Sequence, residues 1–105
     1  MARQLTPITI SATSSRIVSI DGTPQLDSTE LITAVAIVDA DGLTITNEAK
    51  STVALVINQV TVITARAMQM LIVTPAVGSY NVIFSITTDS TPIQIQVWDQ
   101  PIEVV

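Results

Sequence analysis

The sequence predicts an all-β chain folded as a sandwich. Three observations carry this. Ile, Val and Thr supply 43 of the 105 residues, and β-branched side chains lose χ1 freedom in helices while packing well on pleated surfaces. Clusters of Asp, Gly, Pro and Ser recur at short intervals and mark turns. Several runs between them alternate apolar and polar residues, the period-two pattern of a half-buried strand. Seven to nine short strands in about 100 residues is the spacing of a β-sandwich.

The elements follow in order. Residues 1–15 are rich in hydroxyls (Thr6, Thr9, Ser11, Thr13) and read as a first strand near 5–10 or as an extended arm. Residues 16–105 read as the sandwich domain. A strand near 16–20 ends at Asp21-Gly22-Thr23-Pro24. Strands near 31–38 and 43–47 flank Asp39-Ala40-Asp41-Gly42. Strands near 52–58 and 60–64 come next, and one near 67–74 follows a turn at Ala65-Arg66. At 65–72 a helix competes, because Ala, Arg, Met, Gln and Leu favour helix. Two turns are too few to form unaided, so the expectation is strand.

The turn Pro75–Ser79 leads into a strand near 80–88. There Tyr80, Val82, Phe84 and Ile86 share one face, and Asn81 and Ser85 the other, with Ile83 an exception. Asp89-Ser90-Thr91-Pro92 precedes a strand near 93–98. Alternation over Ile93–Val97 predicts Ile93, Ile95 and Val97 inside and the glutamines outside. A tail at 102–105 completes the set.

Charged residues make up 12% of the chain, about half of the ~25% typical of soluble domains. Thr, Ser, Gln and Asn must therefore cover the surface. Neutral β surfaces lack the repulsion that discourages edge-to-edge pairing. The expectation is that the fold protects its edges or that the chain packs against copies of itself or a partner. Ser51–Pro75 contains one charge, Arg66. Such a run aggregates when exposed, so burial in a sandwich, an oligomer or both is expected.

The four cations, Arg3, Arg16, Lys50 and Arg66, form no basic stripe, and the net charge is −5. Nucleic acid and anionic membranes are disfavoured partners. No apolar run approaches the ~18–20 residues that span a bilayer, and the N-terminus shows no secretory apolar region. Without Cys there is no disulfide framework from which to infer compartment.

Little catalytic chemistry remains. Without His, a Ser-His-Asp triad is excluded, and a Ser-Lys pair would need Lys50, in a polar stretch. Three glycines, none clustered, give no phosphate loop. Asp39-x-Asp41-Gly42 reads as a hairpin turn before a Ca²⁺ loop, since no Glu follows at EF-hand distance. Asp21 and Asp89 read as turn formers. Asp89 and Asp99 would serve glycoside hydrolysis only if set ~5–9 Å apart. The expectation is no enzyme, no cofactor and no metal site. Trp98 is either a sugar-stacking platform, a Trp closing one end of the core, or part of a subunit contact. Alternation places it with Gln94 and Gln96, and these three are the candidate protein-contact residues.

Gly78-Ser79-Tyr80 opens a strand in a way that resembles the tyrosine corner of immunoglobulin-like domains, where the phenol bonds backbone at the sandwich end. The fold expectation is thus an immunoglobulin-like β-sandwich of about seven to nine strands. From Arg16 to Trp98 the order of features resembles a family of small immunoglobulin-like structural proteins of tailed bacteriophages. The matching residues are Ser19-Ile20-Asp21, Ile32–Val38, Gly42-Leu43-Thr44-Ile45, Gly78–Val82 and Ile86-Thr87-Thr88. The resemblance implies a virion component associated with the capsid as decoration or cement. It acts through contacts with capsid or other virion proteins, as a homo-oligomer or in many copies on a lattice. A tail- or fibre-associated domain, and a carbohydrate-binding or adhesion module, are the alternatives.

Overall fold

The structure, a computed structural model, describes residues 3–57, 59–90 and 92–105. The strand expected at Asn58 and the turn expected at Thr91 lie outside these at those positions. The described chain is all-β, and its ten strands build two packed sheets and a hairpin. The first sheet joins β1 (Arg3–Gln4), β2 (Ile8–Ile10), β4 (Ile32–Asp39), β9 (Gly78–Thr88) and β10 (Ile95–Val104). Its order is β4-β9-β10, with β1 and β2 both parallel to the far side of β10. The second sheet is β3 (Arg16–Asp21), β8 (Ala67–Val73) and β5 (Thr44–Lys50), with β8 central. β6 (Leu55–Ile57) and β7 (Val60–Val62) form the hairpin.

The core lies between the sheets. Phe84, Ile86 and Val82 of β9 meet Met68, Met70 and Ile72 of β8, with Ile32, Trp98 and Ile102 around them, all buried. The alternation read in 80–88 holds: the even positions face in, and Asn81, Ile83 and Ser85 face out. The stretch with helical composition, 65–72, enters strand β8. Partners on both sides satisfy its backbone, and tertiary pairing overrides local propensity. Lys50 belongs to the end of β5 and not to a loop, because a register shift between Thr46 and Ala49 lets the strand continue.

The strand expected at 5–10 is broken in two. Pro7 has no N–H to give a ladder, and Leu5 N–H donates to Asp99 O at 2.8 Å before the break. That bond also fixes the direction of the β10 backbone. Residue 99 points its backbone groups toward β1 and β2, so residue 101 does too. Pro101 thus presents its missing donor to the gap between β1 and β2, where no ladder partner waits. Gln100 fills the gap, its Nε2 donating to Thr6 O and Pro101 O at 2.8 Å each. This is why the strands expected near 93–98 and 102–105 merge into the single strand Ile95–Val104.

Three of the sheet edges are interrupted and the fourth, β3, is short. β4 carries register shifts between Ile32 and Ala34 and between Ile37 and Asp39. β5 carries one with Asn47 at φ 56°, β3 is short and bounded by Arg16 and Asp21, and β1/β2 is broken. Bulges, breaks and terminal charges are the means by which native edges avoid pairing with other chains. Of the two outcomes expected for a neutral β surface, edge protection is present in the fold.

At the Pro75–Ser79 end of the sandwich Tyr80 Oη donates to Ala76 O at 2.9 Å. Tyr80→Phe removes one hydrogen bond and leaves the half-buried ring in place. The expected loss is about 1 kcal/mol, read as a lower urea midpoint with unchanged slope.

Candidate functional site

The strand that carries the candidate contact residues faces the opposite way from the reading of 93–97. Ile95 is 69% and Val97 38% exposed, whereas Gln96 is 7% and Trp98 0% exposed. The physical reason lies beyond the five-residue window. Over the full strand the even face carries Trp98, Ile102 and Val104, and the odd face carries Asp99 and Glu103. A one-residue slip flips every side chain, and the second half of the strand decides the sign. Gln96 and Trp98 are therefore core residues and form no surface contact. Gln94, just before the strand, is exposed, and its carbonyl accepts Thr88 N–H at 3.0 Å.

Burying Gln96 requires partners, and the upper end of the core supplies them. Trp98 Nε1 donates to Gln96 Oε1 at 2.9 Å, and Gln96 Nε2 reaches Glu30 Oε1 at 3.4 Å. Glu30 Oε1 also accepts Asp27 N–H, and Oε2 accepts Ser90 Oγ. Arg66 Nη1 donates to Asp27 O at 2.9 Å and to Glu30 O at 2.8 Å. Glu30 and Arg66 are both buried. Three connections, 22–31, 63–66 and 89–94, are thereby tied to one another. Gly22 closes this end: a Cβ there would stand 2.6 Å from the Trp98 ring and 2.8 Å from Arg66 O. No sequence signal marks this network, because its members are 76 positions apart at the extremes, Gly22 to Trp98.

The other candidates resolve into turns. Asp39 Oδ1 accepts Asp41 N–H, and Asp41 Oδ2 accepts Asn81 N–H. Asp41 and Gly42 take φ of 53° and 89°, and the turn is not the hairpin expected, because it carries the chain from β4 in the first sheet to β5 in the second. Asp21 Oδ1 accepts Thr23 N–H and Asp89 Oδ1 accepts Leu31 N–H. Asp89 lies at the β9 end and Asp99 is paired with Ile83. The ladder separates them by five to six positions, roughly 17–20 Å, so this pair does not make a glycosidase site. Among the described residues no group of three or more His, Cys, Asp or Glu could hold a metal ion.

What remains is surface of unusual character. On the outer face of the first sheet, Ala36, Ser85 and Val97 form one cross-strand row and Ala34, Thr87 and Ile95 the next. Neither row holds a charge. On the second sheet, Thr44 with Val73 and Thr46 with Leu71 do the same, beside exposed Ile17. The hairpin shows Val53, Val56, Val60 and Ile63 to solvent. Its base is clamped at buried Ser51, whose carbonyl and Oγ both accept Ala65 N–H while its own N–H donates to Ala67 O. Ala65 holds φ 65° to make these bonds, a conformation that costs a non-glycine residue about 1–2 kcal/mol.

No family model matches the chain, and no curated protein does. Among solved structures, the solution structure of amebosin is similar to it at 11% identity and a TM-score of 0.48, over 100% of this chain and 99% of that one. A likeness at this level carries no argument about what the chain does.

Proposed function

We propose that this chain is a non-enzymatic structural protein of a bacteriophage virion, capsid-associated as decoration or cement, with an immunoglobulin-like fold. The observation that carries the functional reading is the charge-free cross-strand rows on the outer face of each sheet, Ala36-Ser85-Val97 and Ala34-Thr87-Ile95 on the first and Thr44-Val73 and Thr46-Leu71 on the second, in a sandwich whose edges are interrupted or short. Interrupted edges suppress open-ended strand pairing. The faces still offer branched aliphatics and hydroxyls that a neighbour can cover without desolvating ions. Repeated on a lattice, modest contacts of this kind add through effective concentration. The fold reading is supported by the strand orders β10-β9-β4 and β3-β8-β5 and by the Tyr80 corner bond, features of immunoglobulin-like sandwiches. The resemblance over Arg16–Trp98 supports the virion assignment.

The contact surface in this reading is the outer face around Ala36, Val97 and Ile95, with Gln94 beside it. Added to tail-free phage heads, the protein is expected to co-sediment in many copies. Ala36→Lys with Ile95→Lys, both at exposed positions, changes stability within about 0.5 kcal/mol and lowers head binding by about tenfold or more. Co-sedimentation with tails or fibres alone moves the assignment there. Binding to neither particle overturns the proposal.

A further inference from the structure

A cleft opens where the broken first strand passes the free edge of the second sheet. The segment Gln4–Thr9 forms one side, and the end of β3 forms the other. The turn residues Pro24 and Gln25 and hairpin residue Ile57 stand around it, and Gln100 lines it from β10. Its volume is about 580 Å³, within the roughly 300–1,000 Å³ of small-molecule sites.

We propose that this cleft binds a neutral, polyhydroxylated ligand, a sugar unit of a glycan. Its lining is the argument. Gln4, Thr6, Thr9, Ser19, Gln25 and Gln100 bring amide or hydroxyl groups, and Asp21 is the one charge among the described lining residues. Among the described lining residues none is cationic, so phosphate, sulfate and carboxylate ligands meet the Asp21 carboxylate there and are disfavoured. None of the described lining residues is aromatic, so flat bases find no stacking surface among them. The remaining walls are aliphatic, Leu5, Ile8, Ile20 and Ile57, suited to the C–H faces of a pyranose.

The polar groups are held in place and have capacity left. Ser19 Oγ accepts Gln69 Nε2 at 3.0 Å, which leaves the hydroxyl hydrogen free to donate. Asp21 Oδ1 accepts Thr23 N–H at 2.9 Å, which fixes the carboxylate. Its Oδ2 carries no hydrogen bond among the described residues and can accept from a sugar hydroxyl. Gln100 has committed both amide hydrogens to Thr6 O and Pro101 O, so Oε1 is its remaining function, an acceptor. Two acceptors, one donor and adaptable hydroxyls beside aliphatic walls match a sugar's alternating O–H and C–H groups. An extended peptide added to the β3 edge is the competing occupant. It would have to run past the turn at Pro24–Gln25, and it gains nothing from the amides on the opposite wall.

The test is an amide-resolved NMR titration of the whole chain. The probes are maltose, cellobiose, lactose and N,N′-diacetylchitobiose, each to about 50 mM, a range set by the millimolar affinity that few hydrogen bonds provide. At least one is expected to shift residues 4–9 and 19–25 and the Gln4 and Gln25 side-chain amides, in saturable fashion. Asp21→Asn keeps the Oδ1 bond to Thr23 and the fold, and is expected to weaken binding about fivefold or more. Sialyllactose is expected to bind more weakly than lactose. No saturable shift with any of the four sugars overturns the proposal, as do shifts scattered outside the cleft. A β-strand peptide that shifts the β3 edge where the sugars do not assigns the cleft to strand addition. Head binding by the Asp21→Asn protein is unaffected in either case, which separates this site from the virion contact.

Discussion

Trp98→Ala is expected to cost about 3–5 kcal/mol, the range for emptying a buried aromatic site. Domains of this kind hold about 5–15 kcal/mol in all, so the variant will be marginal at room temperature. The ring is wholly buried and lies directly under the backbone of Gly22. The cavity cannot close easily, because Gly22 N–H is held by Arg66 O at 2.8 Å and the 22–31 connection by Arg66 and Glu30. Gln96 also loses its indole donor and is left with a buried acceptor, a further cost of about 1–3 kcal/mol. Urea unfolding followed by far-UV circular dichroism reads the sum. The same experiment on Ile95→Ser decides between the two faces of β10. At 69% exposure that substitution is expected to stay within about 0.5 kcal/mol of the parent. If Ile95→Ser costs several kcal/mol and Trp98→Ala costs under one, β10 has its odd residues inside, and the polar network at the upper end does not exist as described.

The contrast between β9 and β10 shows what a sequence makes legible. In β9 the face assignment rests on Tyr80, Val82, Phe84 and Ile86, and no residue of the opposite set competes except Ile83; the structure buries the expected face. In β10 both faces carry large apolar residues. The choice is made by the exposure of Glu103 and by whether a distant partner exists for Gln96. That partner, Glu30, is 66 positions away, and no local pattern announces it. Strand positions were legible nearly everywhere because turn chemistry at Asp21-Gly22, Asp39–Gly42 and Pro75–Gly78 is local. The break at Pro7 and the run through Pro101 were not, since each depends on the other across the β1/β2 gap. The surface cleft was illegible for the same reason. Ser19, Asp21 and Gln100 meet only because β1 and β2 both pair with β10 and leave the β3 edge open.

Glu30 and Arg66 give the second large effect, and its pattern is more informative than its size. Each is buried, and each holds backbone groups of the same connection. Arg66 caps the carbonyls of Asp27 and Glu30, while the Glu30 carboxylate takes Asp27 N–H, Gln96 and Ser90. Removing either side chain leaves the buried groups it holds unpaired, which costs about 1–3 kcal/mol for each such group. Glu30→Ala and Arg66→Ala are each expected to cost at least that much by urea unfolding. The pair Glu30→Ala with Arg66→Ala is expected to cost less than the sum by at least about 1 kcal/mol, because both side chains hold the same turn at Asp27–Glu30 and the first substitution has already loosened it. Additive costs would mean that the two residues stabilise the 22–31 connection independently. A double variant no worse than either single one would mean that the connection is held by Asp89, which bonds Leu31 N–H and O, and by the Trp98 contact beneath Gly22. The three outcomes differ in magnitude by more than the error of the measurement, so one cycle of four proteins places the origin of order at this end of the sandwich.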